Sequence, residues 1–247
     1  MKTACGLHKL RKNTEFYPVL SIIIPAFNEE RTIRVVLDRV KRTLKNLPEG
    51  FEIIVVDDGS TDMTLEIAQT VGTKVIKNMS TTGYGSALKA GLFQAKGRYL
   101  AFLDADNTYP PESIPLMLRE ARNGYLVVGS RFLGRQNNMS LIRKFGNVFF
   151  AILTTFFTSK HVTDTGTGLR VFGRPVLKIL NDLPDGLNFT PAMTLKAILS
   201  GFPYKEIPIS YGQRDGNSKL HIVNDGWRFL TAIIGTFANH RLKRDIQ

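Results

Sequence analysis

Apolar residues along this chain follow two rhythms. Short runs dense in Ile, Val, Leu and Phe alternate with longer stretches in which apolar positions recur every three or four residues, the signatures of strands and amphipathic helices. The runs predict strands at 20–25, 51–57, 74–77, 98–104 and 126–130, with helices near 29–45, 62–71, 83–96 and 111–123 between them. The last of these helices opens at Pro110-Pro111-Glu112, where proline suits a first turn and an acid complements the helix dipole. Strands alternating with helices imply a parallel, doubly wound α/β sheet.

The second half is less regular. It predicts a Phe-rich, apolar helix near 140–158, a turn at Thr163-Asp164-Thr165-Gly166-Thr167-Gly168, a strand at 169–172, a helix near 190–200 and a strand at 204–211. Gln213 to Leu220 is too polar for core, and a final helix from Val223 to Arg244 carries Trp227, Phe229, Leu230, Ile233, Ile234 and Phe237. No repeat, linker or low-complexity segment divides the 247 residues, which suffice for a substantial core. The expectation is a polar N-terminal tail at 1–18 and one domain at 19–247.

Charge narrows the partners. A formal net charge of +12 points to an anionic one: nucleic acid, a membrane surface or a phosphorylated substrate. The single Cys5 rules out an internal disulfide and suits a reducing cytoplasm. Met1 to Tyr17 lacks an apolar core, so no secretory signal is expected. No uninterrupted apolar run approaches the roughly 20 residues that span a bilayer, so an integral protein is not expected.

Three segments carry candidate chemistry. Ser21–Glu30, Ile53–Asp62 and Tyr99–Pro111 each lead an apolar strand into acidic, turn-forming residues. Ligands of open α/β sheets sit in the crevice outside the carboxyl ends of parallel strands, so three such ends imply one shared nucleotide site. Asp104 and Asp106, two apart where a strand becomes a loop, can both reach a hard divalent cation, which would neutralise a diphosphate.

Five motifs in order, Pro25-Ala26-Phe27-Asn28-Glu29, Val56-Asp57-Asp58-Gly59-Ser60, Asp104-Ala105-Asp106, Gly129-Ser130-Arg131 and Gly216-Asn217-Ser218-Lys219-Leu220, carry a resemblance. Over about residues 20–230 the chain resembles the inverting family 2 glycosyltransferases, and among them the polyprenyl-phosphate sugar transferases of the dolichol-phosphate mannose synthase type. The resemblance implies a GT-A fold: a Rossmann-like, mostly parallel sheet flanked by helices, with C-terminal amphipathic helices at a membrane interface. It implies a donor half at about 19–132 and an acceptor or membrane-facing half at about 133–247. It also implies a nucleotide-sugar donor such as GDP-mannose or UDP-glucose, Mg²⁺ or Mn²⁺, and a dolichyl or undecaprenyl phosphate acceptor.

Carried over by motif, Pro25, Phe27 and Glu29 match the nucleoside pocket, and Asp57 or Asp58 the acid that contacts base or ribose. Gly85 falls where backbone turns close to the nucleotide. Asp104 and Asp106 match the metal and diphosphate carboxylates, and Arg131 an arginine near the reacting phosphates. Arg143 and Asn147, four apart on one helical face, match the lipid-phosphate site. Arg214, Ser218 and Lys219 match a basic loop that closes over the site. Two segments depart from the family pattern, Asn107-Thr108-Tyr109 after the carboxylate pair and Asp164-Thr165-Gly166-Thr167-Gly168-Leu169 after the apolar helix, and leave the sugar open.

A phosphate monoester is already anionic and needs no base to attack an anomeric carbon, whereas a hydroxyl acceptor does. What remains is positioning and charge control by Asp106, Arg131, Arg143 and Arg214, with in-line attack inverting the centre. Arginine suits this because its planar fork binds phosphate oxygens in pairs. Basic residues flank both apolar helices: Arg143 and Lys144 on one, Arg228, Arg241, Lys243 and Arg244 on the other. Those helices would lie in the headgroup layer of the cytoplasmic membrane face, peripherally, with or without a separate membrane-protein anchor.

Plainer readings stand beside these. Asp104-Ala105-Asp106 alone is commonly a turn, Ser60 or Thr61 suits a helix cap, and Asp164 suits a helix or turn cap. Phe149, Phe150, Leu153, Phe156 and Phe157 form a stripe that fits core as well as lipid. His8, His161, His221 and His240 lack metal-ligand spacing. Three rival functions are set against the first. A family 2 enzyme acting on a saccharide hydroxyl would need a base, commonly a Glu-Asp pair in the second half, and none is present. A non-catalytic basic nucleic-acid-binding protein would explain the charge but lacks the stacking aromatic motifs, so nucleic acid is not expected. A dinucleotide oxidoreductase would carry Gly-x-Gly-x-x-Gly after the first strand, and this chain does not.

Overall fold

In the computed structural model, four strands form one side of a sheet: β1 (Leu20–Ala26), β2 (Phe51–Asp57), β3 (Lys74–Lys77) and β4 (Tyr99–Phe102). They alternate with α1 (Ile33–Leu44), α2 (Thr64–Thr70) and α3 (Tyr84–Gln94). Next come α4 (Ile114–Ala121), β5 (Leu126–Ser130), α5 (Leu141–Thr158), β6 (Arg170–Gly173), α6 (Phe189–Leu199), β7 (Tyr204–Pro208) and α7 (Ile222–Asp245). The structure describes residues 18–78, 81–135, 138–214 and 222–245, without the side chains of 222–223 and 243–245.

The sheet has seven strands in the order β3-β2-β1-β4-β6-β5-β7. All neighbours run parallel except β6, which is antiparallel to both β4 and β5. That reversal matters for the site: the turn that feeds β6 arrives at the edge where β4 and β5 end, with Arg170 in register with both Phe102 and Val128. A parallel strand there would have placed this turn at the opposite edge.

Strand alternation divides the core. Leu20, Ile22 and Ile24 of β1 pack with Ile33, Leu37 and Met117 beneath α1 and α4, while Ile23 joins Leu88, Phe102 and Phe189 beneath α3 and α6. The proline-led start expected near 111 is a 3-10 turn at Pro111–Ser113 that runs into α4. A third apolar layer joins α5, α6 and α7 through Phe150, Leu195, Phe229 and Ile233.

The Phe stripe of α5 resolves into two faces. Phe150 is buried and Leu153 and Phe157 are partly so, whereas Phe145 and Phe156 are 75% and 78% exposed. Leu141, Ile142, Phe149 and Ile152 also face outward, as does Trp227 of α7. By length and composition alone the 18 residues of α5 would cross a membrane. Its inner stripe packs on α6 and α7, and Arg143 and Lys144 stand in its first turn.

Candidate active site

A cleft of about 550 Å³ opens along the carboxyl ends of the strands. Its first wall comes from the β1 and β2 loops, which are stitched together. Asn28 adopts a left-handed backbone (φ 54°); its N–H donates to Ser60 Oγ at 2.9 Å and its Oδ1 accepts from the Thr61 N–H at 2.8 Å. Ser60 and Thr61 are therefore spent across loops and do not cap α2; Asp62 Oδ1 accepts the Thr64 N–H at 3.0 Å at the start of that helix. Pro25, Phe27 and Glu29 line the cleft as a result.

Asp57 and Asp58 part company. Asp57 is fully buried behind the cleft wall, with Oδ1 3.4 Å from the Ser60 N–H and Oδ2 lacking a hydrogen-bond partner among the described residues. Asp58 faces the cleft and anchors the following loop, accepting from Asn78 Nδ2, the Thr82 N–H and hydroxyl, and the Gly83 N–H at 2.7–3.0 Å. Burial works to raise its pKa, but these donors outweigh it and hold the carboxyl below its ordinary value. Gly85 does not reach the cleft. Its N–H donates to the Asp185 carbonyl at 2.7 Å, and a Cβ there would lie 2.4 Å from the Pro184 oxygen, so the glycine serves close packing.

Asp104 and Asp106 both line the cleft. Tyr84 donates to Asp104 Oδ1 at 2.7 Å; Asp106 Oδ1 accepts from the Thr108 N–H at 3.1 Å and hydroxyl at 2.6 Å. Burial and the neighbouring Asp106 push the Asp104 carboxyl up to about 7. Two crowded carboxylates that repel each other, with oxygens turned to the cleft, fit a hard divalent cation, which would relieve that repulsion. Among the described residues no three acidic, His or Cys side chains form a self-sufficient cage, so phosphate oxygens of a nucleotide would complete the coordination. Arg214 reaches in from far along the chain, its Nη2 3.1 Å from Glu29 Oε1 and its Nε 3.3 Å from Asp106 Oδ2. Burial opposes its charge, but Asp106, Glu29 and Asp104 hold its pKa above the ordinary value.

The opposite wall is built on Arg131. Its Nε and Nη2 donate to Asp164 Oδ2 and Oδ1, each at 2.7 Å, and its backbone N–H donates to Oδ2 at 3.0 Å. Nη2 also donates to Asn147 Oδ1 at 3.1 Å, and the guanidinium lies 5.2 Å from the Tyr211 ring centre. Asn147 in turn donates to the Arg143 carbonyl at 2.9 Å, so it orients Arg131 from within α5; Arg143 itself lines the cleft beside it. Ser218 and Lys219 lie outside the described residues.

The turn before β6 ties these walls together. A Cβ at Gly168 would stand 2.5 Å and 2.6 Å from the two Asp104 carboxylate oxygens, and one at Gly166 would stand 2.5 Å from Asn147 Oδ1, so a side chain at either position would displace a residue of the site. Glu206 of β7 holds the start of the turn, accepting from the Thr163 N–H and hydroxyl and the Asp164 N–H at 2.6–3.0 Å. Asp164 thus resolves from a possible cap into the partner of Arg131. Glu206 belongs to none of the motifs read from the sequence, where its only signal is an acid within a strand pattern.

Known proteins similar to this chain identify its family. The model of glycosyl transferase family 2 matches residues 21–180. A low-salt glycan biosynthesis hexosyltransferase of Haloferax volcanii is 34% identical over 224 residues, covering 89% of this chain and 54% of its own length. A dolichyl-phosphate hexose transferase of the same organism is 30% identical, covering 91% of this chain and 96% of its own. An undecaprenyl-phosphate 4-deoxy-4-formamido-L-arabinose transferase of Photorhabdus laumondii is 32% identical, covering 87% and 67%. This chain therefore spans about half, nearly all and two thirds of these relatives respectively. Among solved structures, glucosyl-3-phosphoglycerate synthase from Mycobacterium tuberculosis superposes with a TM-score of 0.71 at 20% identity, covering 90% of this chain and 80% of that one. The same enzyme bound to Mn²⁺, UDP and glucosyl-3-phosphoglycerate gives 0.68. The fold is shared with these GT-A neighbours, and the chain belongs to glycosyl transferase family 2.

Proposed function

We propose that this chain transfers a hexose, mannose or glucose, from a nucleoside-diphosphate sugar to a polyprenyl phosphate, with inversion, at the cytoplasmic face of a membrane. The observation that carries this reading is one cleft with carboxylates on one wall and arginines on the other, opening beside an exposed apolar face. Pro25, Phe27 and Glu29 would receive the nucleoside. Mg²⁺ or Mn²⁺ held by Asp104 and Asp106 would neutralise the leaving diphosphate. Arg214 would exchange its carboxylate partners for diphosphate oxygens as the donor enters. Arg131 and Arg143 would hold the acceptor phosphate in line with the anomeric carbon, and positioning of this kind lowers the barrier without a protein base.

The outer face of α5 would rest in the headgroup layer, and the basic residues near it would add about 1 kcal/mol each on anionic lipid. Relatives named for dolichyl-phosphate and undecaprenyl-phosphate transfer support the same acceptor class. A saccharide hydroxyl acceptor has one feature in its favour: Asp225, buried on the acceptor side of the cleft, could serve as base, although it already lies 3.5 Å from Arg228.

The test is lipid-linked sugar formation by purified protein given polyprenyl phosphate, Mn²⁺ or Mg²⁺, and a panel of labelled GDP- and UDP-hexoses. Product that disappears in Asp106→Ala and survives in Asp225→Asn supports a phosphate acceptor. Nucleotide-sugar binding without lipid product refutes it.

A further inference from the structure

Arg170 opens β6 directly beneath the cleft and has no exposed surface. It forms no ion pair among the described residues; its guanidinium sits 5.9 Å from the Phe102 ring centre, and Nη1 has no hydrogen-bond partner. Burying a cation that makes no direct ion pair is expensive, so its presence calls for a specific role. The two contacts that Arg170 does make explain its presence. Nη2 donates to the Thr165 carbonyl at 2.7 Å and Nε to the Thr167 carbonyl at 3.3 Å.

Those carbonyls alternate with the residues that form the site. Asp164 grips Arg131, Gly166 lies against Asn147, and Gly168 lies against the Asp104 carboxylate. The turn therefore presents 164, 166 and 168 to the residues that build the cleft and the carbonyls of 165 and 167 to Arg170. Two of its residues are glycines, whose backbones are the least restrained of all. One planar guanidinium donating to two carbonyls two residues apart removes that freedom.

We propose that Arg170 is a positioning residue for the transfer reaction: it clamps the turn from below, so that Asp164 orients Arg131 and Gly168 seats Asp104. The inference rests on the proposed transfer for its turnover measurement but not for its binding measurement. In the full chain, Arg170→Met and Arg170→Lys are compared with wild type for thermal midpoint, for UDP and GDP affinity in the presence of Mn²⁺ by calorimetry, and for kcat and KM. Arg170→Met is expected to lower the thermal midpoint by no more than a few degrees, because the two carbonyls left without a donor are offset in part by removal of a buried charge that makes no ion pair. It is expected to lose about 30- to 100-fold in kcat, the scale of a misplacement near 1 Å, and about tenfold in nucleotide affinity. Arg170→Lys, which can still donate to a carbonyl, recovers part of both losses.

A cycle with Asp164→Asn separates positioning from general loosening. Residues acting through one turn are non-additive, so the double variant should be no more than about threefold slower than the slower single one. Losses that multiply, or Arg170→Met with wild-type kcat and nucleotide affinity, overturn the proposal. If Arg170→Met does not fold, Arg170→Lys decides: a stable protein with reduced kcat and nucleotide affinity supports the clamp, and wild-type values refute it. If wild-type protein itself forms no lipid product, the acceptor reading fails, while the Mn²⁺-dependent affinities still judge Arg170.

Discussion

Replacing Asp164 with alanine would strand the guanidinium of Arg131 in the cleft wall. The pair is almost dry, with side-chain exposures of 7% for Arg131 and 0% for Asp164. Three hydrogen bonds of 2.7, 2.7 and 3.0 Å vanish together, and Asn147 Oδ1 at 3.1 Å remains as an uncharged acceptor. Breaking a buried pair by removing one partner costs about 3–5 kcal/mol. The surviving Asn147 contact places Asp164→Ala towards the lower end. For a domain of this size each kcal/mol lowers the midpoint by about 2–4 °C, so a fall of roughly 6–15 °C is expected. Turnover should drop at least about 100-fold, the scale of losing one preorganised electrostatic group. Joint replacement of Arg131 by Met and Asp164 by Leu removes both charges and should return stability to within about 2 kcal/mol of wild type, without restoring activity. Urea unfolding followed by circular dichroism, with a constant m-value, measures each step. An alanine variant within 1 kcal/mol of wild type, or a double variant no more stable than Asp164→Ala, would refute the account of a charge-neutralising buried pair.

Gly168→Ala forces a methyl to 2.5 Å from an Asp104 oxygen, so Mn²⁺-dependent nucleotide affinity should fall about tenfold, or about 1.4 kcal/mol, and calorimetry showing unchanged affinity would contradict the close approach. The Asp58 carboxyl has a depressed pKa when folded, so its stabilising contribution is complete above the ordinary carboxylate value and fades as pH falls through the folded value. Asp58→Asn should therefore flatten thermal stability against pH below about 4; an acid limb as steep as in wild type counts against the loop anchor. Joint replacement of Phe145 and Phe156 by Glu, at positions 75% and 78% exposed, should weaken sedimentation with anionic vesicles at least about tenfold while leaving the melting temperature in place. Undiminished vesicle binding would refute the reading of the outer face of α5 as a lipid contact.

Much of the fold was legible because local pattern suffices for it. Apolar runs at 51–57, 74–77 and 126–130 match β2, β3 and β5 to the residue, and the helices differ from expectation mainly at their ends. Acids following strands also marked the cleft, since parallel strands carry their termini to one edge. Asp57 and Asp58 were not separable in this way: adjacent residues at a strand end face opposite sides, and only the packing shows which side is the cleft.

The sequence by itself determined the elements, the mostly parallel layering and the family, because periodicity, charge and ordered motifs are properties of neighbouring residues. Tertiary structure alone decided that β6 runs antiparallel and so delivers Asp164, Gly166 and Gly168 to the ends of β4 and β5. It alone paired Asp164 with Arg131, 33 residues apart, and Glu29 with Arg214, 185 apart. It also split the Phe stripe of α5 into an inner and an outer face. Those outcomes depend on which surfaces meet when the chain closes, and side chains that are distant in sequence acquire their partners and their burial only then.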